Sequence, residues 1–156
     1  MEAINCTTTS YNKLSESMII NLKKPLPSEA IAPHPTKPYL STIKAIYVVE
    51  RLNDVFGLGK WFIENRVVSA SEKMIVMESI LTVPEYGIRI SSFGGNDNAD
   101  RGDAYKGACT DALTKIASYM YIGMDVYKGL AKQSTNYTSQ KSPDNTPMKP
   151  MDVSFK

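Results

Sequence analysis

The sequence is poor in the residues from which catalytic and metal centres are built. Its 156 residues include one histidine, His34, and two cysteines, Cys6 and Cys109. Neither cysteine belongs to a CxxC pair, and a structural zinc site takes about four ligands, so zinc is excluded. The same scarcity excludes a disulfide framework. Ser-His-Asp catalysis would rest on His34 alone, inside a proline-rich stretch. No GxxxxGK[ST] loop is present, which removes an ATP motor of the P-loop kind, and Gly94-Gly95 leads into Asn-Asp rather than a dinucleotide fingerprint. Asp97, Asn98 and Asp100 lack the order of an EF-hand loop. No cofactor, metal or enzymatic step is therefore expected. Long apolar runs are missing too, so no segment spans a membrane. The N-terminal MEAINCTTTSYNKLSES has no basic stretch followed by an apolar one, and the expectation is a cytoplasmic protein.

Charge of one sign is also lacking. Lys and Arg number 18 against 16 Asp and Glu, a formal net charge of +2. A nucleic-acid surface on such a chain has to come from segregating charge onto one face, or from repeating a small patch around an oligomer.

What is present reads as one α+β domain. Residues 1–17 are polar and aperiodic and are expected to be mobile. Residues 18–131 form the domain, and 132–156 have the composition of a disordered tail. The domain opens with SMIINLKKPLPSEAIAPHPTKPY, in which the prolines from Pro25 to Pro38 predict an extended strap with one helical turn at 27–31. Ala45, Val48, Val49, Leu52, Val55 and Phe56 form one helical stripe, predicting a helix over 42–56 capped by Ser41 or Thr42 and ended by Gly57. KWFIENRVVSA, KMIVMESILTV and YGIRISSF follow as an antiparallel meander of three to four strands, the middle run being apolar on both faces. Arg89 stands between Ile88 and Ile90, Arg66 stands before Val67 and Val68, and the two arginines are expected to share the wet face. GGNDNADRGD reads as a loop. Asp103 would cap a second helix over 104–121 that buries Cys109, Leu113, Ile116, Ala117, Met120 and Met124 and ends at Gly123. The first helix is expected to pack against the sheet.

Three segments carry a family resemblance. LNDVFGLGKW (52–61) is similar to a helix end, turn and strand-opening Trp in the Rad52-type single-strand annealing proteins. YKGACTDALTKIASYMYIG (105–123) resembles the Lys-x-Ala-x-Thr-Asp-x-Leu helix of that family, and LKKPLPSEAI (22–31) its strap. Together they cover about residues 22–130, in the family's order. The short chain looks more like phage or bacterial members than eukaryotic ones. The resemblance implies a homo-oligomeric ring that binds single-stranded DNA and anneals complementary strands without ATP, in recombination and repair. It also implies DNA contacts from Lys115 on the second helix and from His34 or Lys37 on the strap. The family's basic pair after Thr-Asp-x-Leu is reduced here to Lys115.

Such a protein has to hold phosphates and leave sequence to base pairing. Lys106, Lys115, Arg66, Arg89, Arg101, His34 and Lys37 are the candidate contacts. Each has a plainer reading. Lys115 has the spacing to pair with Asp111, Arg101 lies among Asp97, Asp100 and Asp103, and Arg66 and Arg89 suit a solvated sheet. Lys106 and Lys115 stand about 180° apart on a helix and cannot share one groove. Tyr39, Tyr47, Tyr105 and Tyr119 are candidates for stacking on bases, and Trp61 for a core anchor. The tail is a candidate for recruiting a single-stranded-DNA-binding protein. Two other readings stay open: a self-assembling adaptor joined through its sheet edges, and a double-stranded RNA-binding module.

Overall fold

The computed structural model describes residues 10–34, 37 and 39–130. The first nine residues, with Cys6, and the expected tail at 132–156 lie outside the described residues. The fold is α+β, with antiparallel strands in two sheets. In chain order the elements are α1 (Glu16–Lys23), β1 (Ile31–Pro33), β2 (Ser41–Ile43), α2 (Ala45–Phe56), β3 (Phe62–Ala70), β4 (Ile75–Val83), β5 (Ile88–Asn96), α3 (Arg101–Tyr119) and α4 (Met124–Tyr127). No helix among the described residues is long and apolar enough to cross a membrane.

The start of the chain is more ordered in secondary structure than its prolines predict. The extended reading fails over ESMIINLK, which forms α1. Ser15 caps it by accepting from the Met18 N–H, and the prolines begin only after its last turn. Arg51 reaches from α2 and donates to the carbonyls of Asn21, Lys24 and Pro25. A guanidinium there satisfies the open carbonyl end of α1 and opposes its dipole, contributing about 1 kcal/mol. Upstream, where mobility is expected, the Asn12 N–H donates to the Glu85 carbonyl and the Tyr11 ring lies against Gly87. The single helical turn expected at 27–31 is present as a 3-10 turn at Ser28–Ala30.

Ser41 and Thr42 do not cap α2. They lie in β2, which pairs with β1, and Lys44 precedes α2 without a side-chain cap bond. Gly57 does stop α2, at φ 94°, and the Trp61 indole N–H donates to the Asn53 side chain, so both ends of LNDVFGLGKW are tied together. The buried residues of α2 are Val48, Leu52, Val55 and Phe56, four members of the expected stripe.

The meander has three strands in the order β3-β4-β5, with β4 central and buried along most of its length. β5 runs on through Gly94, Gly95 and Asn96, residues expected in the loop. Close approach explains this: a Cβ on Gly94 would strike the Ala108 carbonyl and the Ala112 nitrogen, and one on Gly107 would strike the Asn96 side chain. Small residues thus let α3 lie almost on the backbone of β5. The buried stripe of α3 accordingly runs through Ala104, Ala108, Ala112, Leu113, Ile116 and Ala117, while Cys109 is only partly buried. The cap is Asp100, which accepts from the Asp103 N–H; Asp103 sits in the first turn. α3 ends at Tyr119, before Gly123. Tyr121 takes a positive φ of 70°, and the Ile122 N–H returns to the Ala117 carbonyl.

The main core joins α1, α2, α3 and one end of the sheet through Leu22, Leu52, Phe56, Leu81, Val83 and Ile116. α3 makes the principal contact with the sheet, on β5 and β4. α2 lies against α1 and α3, and its buried side chains share the main core with Leu81 and Val83 of β4, as expected of a helix packed against the sheet.

Candidate nucleic-acid interface

Because α3 lies over β4 and β5, one face of the meander is covered, and among the described residues the other is open. Residues of β4 alternate between the two. Ile75, Met77, Ser79, Leu81 and Val83 are buried on the α3 side, and Val76, Glu78, Ile80 and Thr82 point the other way. The strand register sets out the open face as three cross-strand rows. Phe62, Thr82 and Arg89 form the first, Glu64, Ile80 and Ser91 the second, and Arg66, Glu78 and Phe93 the third. Arg66 and Arg89 occupy opposite corners of this grid, and Phe62 and Phe93 the other two.

The centre of the grid is a cleft of about 330 Å³ lined by Arg66, Glu78, Ile80, Arg89 and Ser91. Ile80 is only 4% exposed although no helix lies over it. The long side chains around it cover it with their aliphatic stems while their charged ends stay wet. Phe62 and Phe93 are 56% and 54% exposed. Arg66 forms an ion pair with Glu64 at 3.2 Å, both side chains more than half exposed, so the pair contributes little to stability. Arg89 has no ion pair among the described residues. The face thus offers two cations for phosphate and two bare aromatic rings for stacking, beside two carboxylates.

The expected contacts do not converge on this face. Arg66 and Arg89 do meet there. Lys106, Lys115 and Arg101 lie on α3, on the opposite side of the sheet. His34 and Lys37 belong to the connection between β1 and β2, where the Lys37 N–H donates to His34 Nδ1 and the His34 N–H to the Leu40 carbonyl. Tyr39, in the same connection, is 79% exposed. That hairpin is anchored through β2 on α4 and does not line the cleft.

Lys115, the first choice from the family resemblance, is held within the chain. Its Nζ donates to the Asp111 carboxylate at 2.7 Å and to the Phe93 carbonyl at 3.1 Å. Asp111 also accepts from the Gly95 N–H at 3.1 Å. Asp111 and Lys115 therefore meet a carbonyl and an amide on the outer edge of β5, as a neighbouring strand would. Arg101 stands exposed at the first position of α3 and forms no ion pair among the described residues. The Asp100 carboxylate beside it accepts from the Asp103 N–H, and the side chains of Asn96 and Asn98 each accept from the backbone N–H two residues on, which shapes the loop.

The sequence reading missed Phe62 and Phe93. The signal for them was present: counting in twos from Arg66 and Arg89 reaches both. The role of Asp111 was legible only as an i, i+4 partner. Burial pushes the Cys109 thiol up from its ordinary value, and burial likewise raises the Tyr127 hydroxyl, which donates to Thr114.

Compared with known proteins, the chain matches no protein-family model and no curated protein.

Proposed function

We propose that this protein binds single-stranded DNA on the open face of its meander and anneals complementary strands without ATP, as a multi-copy assembly. The observation that carries the reading is the grid in which two arginines and two exposed phenylalanines alternate at the corners of an uncovered antiparallel sheet. Arginine neutralises phosphate of any sequence, and an aromatic ring stacks on the face of any base, leaving its pairing edge free for a second strand. The resemblance of LNDVFGLGKW and the 105–123 helix to Rad52-type annealing proteins supports the same reading, as does its implied ring, in which few cations per chain add up. Under this reading the protein works in the cytoplasm, in recombination and repair, and residues 132–156 serve to recruit a single-stranded-DNA-binding protein. Lys37 and Tyr39 at the hairpin would extend the track, while Lys115 braces β5.

Fluorescence anisotropy of a labelled oligo-dT across a salt series tests this. The expected result is affinity that falls with salt, and a salt slope reduced by about one for each of Arg66→Ala and Arg89→Ala. Phe62→Ala and Phe93→Ala should each lose about 1–3 kcal/mol of binding. Absence of binding in dilute buffer would contradict the reading and leave the second one. The long edge of β3, unpaired among the described residues, favours that second reading, a self-assembling adaptor.

A further inference from the structure

The two edges of the meander are not alike. Part of the outer edge of β5, at Phe93 and Gly95, is occupied by Asp111 and Lys115. β3 is nine residues long and exposed at every position except Ile63, which is half-buried. Among the described residues nothing pairs with its outer edge. The principal contacts of α3 are with β4 and β5, and among the described residues Val67 and Val68 of β3 are 55% and 54% exposed. An edge of this length, without proline or lysine, is a template for another strand.

We infer that β3 pairs antiparallel with β3 of a second copy of this chain, about a two-fold axis at Asn65. The backbone restricts the choice. The Phe93 carbonyl and Gly95 N–H point out of the sheet, so residue 78, opposite Phe93, directs its own groups toward β3, and its partner Arg66 directs its groups back. The outward groups of β3 therefore belong to Ile63, Asn65 and Val67.

Side-chain charge then selects among the registers. Centred on Glu64, the strand would set Glu64 against itself; centred on Arg66, it would set Arg66 against itself. Both registers put like charges in direct opposition, which is destabilising. Centred on Asn65, Glu64 of each copy faces Arg66 of the other, Ile63 faces Val67, and Asn65 faces itself. Every pair is then complementary, and Asn65 offers outward backbone groups to its own copy. The existing Glu64–Arg66 ion pair becomes part of a ring of four alternating charges. The bulge between Val67 and Ser69 closes the paired stretch.

The contact is isologous: each chain uses its one β3 edge once, so a closed assembly built on it holds an even number of chains. Three strands from each copy form one six-stranded sheet. A two-fold axis perpendicular to that sheet keeps both open faces on the same side.

The test uses the full chain without nucleic acid, so its outcome is independent of whether DNA binds. Sedimentation equilibrium should show that Glu64→Arg and Arg66→Glu each weaken the pair about tenfold or more, and that the double exchange E64R/R66E restores it. Cysteine placed on the axis should cross-link to itself under mild oxidation, because hydrogen-bonded antiparallel partners stand about 5.5 Å apart at Cα. Asn65 accepts a bond from the buried Ser79 hydroxyl, so the probe is N65C/S79A, which removes both partners. Val67→Cys alone should not cross-link to itself, whereas mixed I63C and V67C chains should link to each other. Self-linking at 67, a double exchange that fails to restore pairing, or an odd chain count in native mass spectrometry would each overturn the inference. So would a monomer whose Ile63, Asn65 and Val67 amides resist exchange, which would mean that the edge is covered within one chain.

Discussion

β3 and β5 flank the same central strand, are each nine residues long and each mix apolar with polar residues, yet they end in different states. β5 has α3 pressed onto its backbone at Gly94 and has part of its outer edge bridged by Asp111 and Lys115. β3 has no covering helix and nothing on its outer edge among the described residues. The difference lies outside the strands. Glycine and alanine at the β5–α3 contact draw the helix to one side of the sheet, and the opposite edge goes without cover. A strand's pattern gives its alternation, while its neighbours decide whether that alternation ends as core, platform or interface.

The sharpest way to break the comparison is to change both strands alike. Gly94→Val would drive a side chain into the Ala108 carbonyl and is expected to cost about 3 kcal/mol or more. Ser69→Val on the exposed strand should cost under about 0.5 kcal/mol. Urea unfolding of the two variants measures both. A smaller effect follows from removing the bridge. Asp111→Ala leaves the Gly95 N–H and the Lys115 ammonium without that carboxylate, and should cost about 1–2 kcal/mol. Hydrogen exchange should show the Gly95 amide losing protection more than its neighbours do. Smaller still is a difference in thiol reactivity. Burial raises the pKa of Cys109, so less of it is thiolate at pH 8 than for an ordinary thiol. Its alkylation should therefore lag behind that of a cysteine placed at Ser69, with the gap narrowing as pH climbs toward the raised pKa.

The sequence makes some of this legible and hides the rest for physical reasons. The strand-like runs locate β3, β4 and β5 and the shared face of Arg66 and Arg89, because side-chain direction in a strand is local. Caps are less readable. Asp100 and Asp103 both suit the start of α3, and only the loop geometry chooses Asp100. α1 is hidden behind the prolines that follow it, although Ser15 and Glu16 form a sound helix start. The Asp111–Lys115 pair is visible from its spacing, but its hold on Phe93 and Gly95 depends on where α3 crosses β5. The exposure of β3 on both faces is not readable from FIENRVVSA at all, since Ile63 and Val67 have the spacing of a core-facing pair.

The functional account stands on the open face, and photo-cross-linking of a 5-iodouracil oligonucleotide followed by mass spectrometry addresses that face most directly. The account predicts adducts at Phe62 and Phe93 that disappear in the R66A/R89A double variant. Adducts confined to α3, around Arg101 and Lys106, would contradict it.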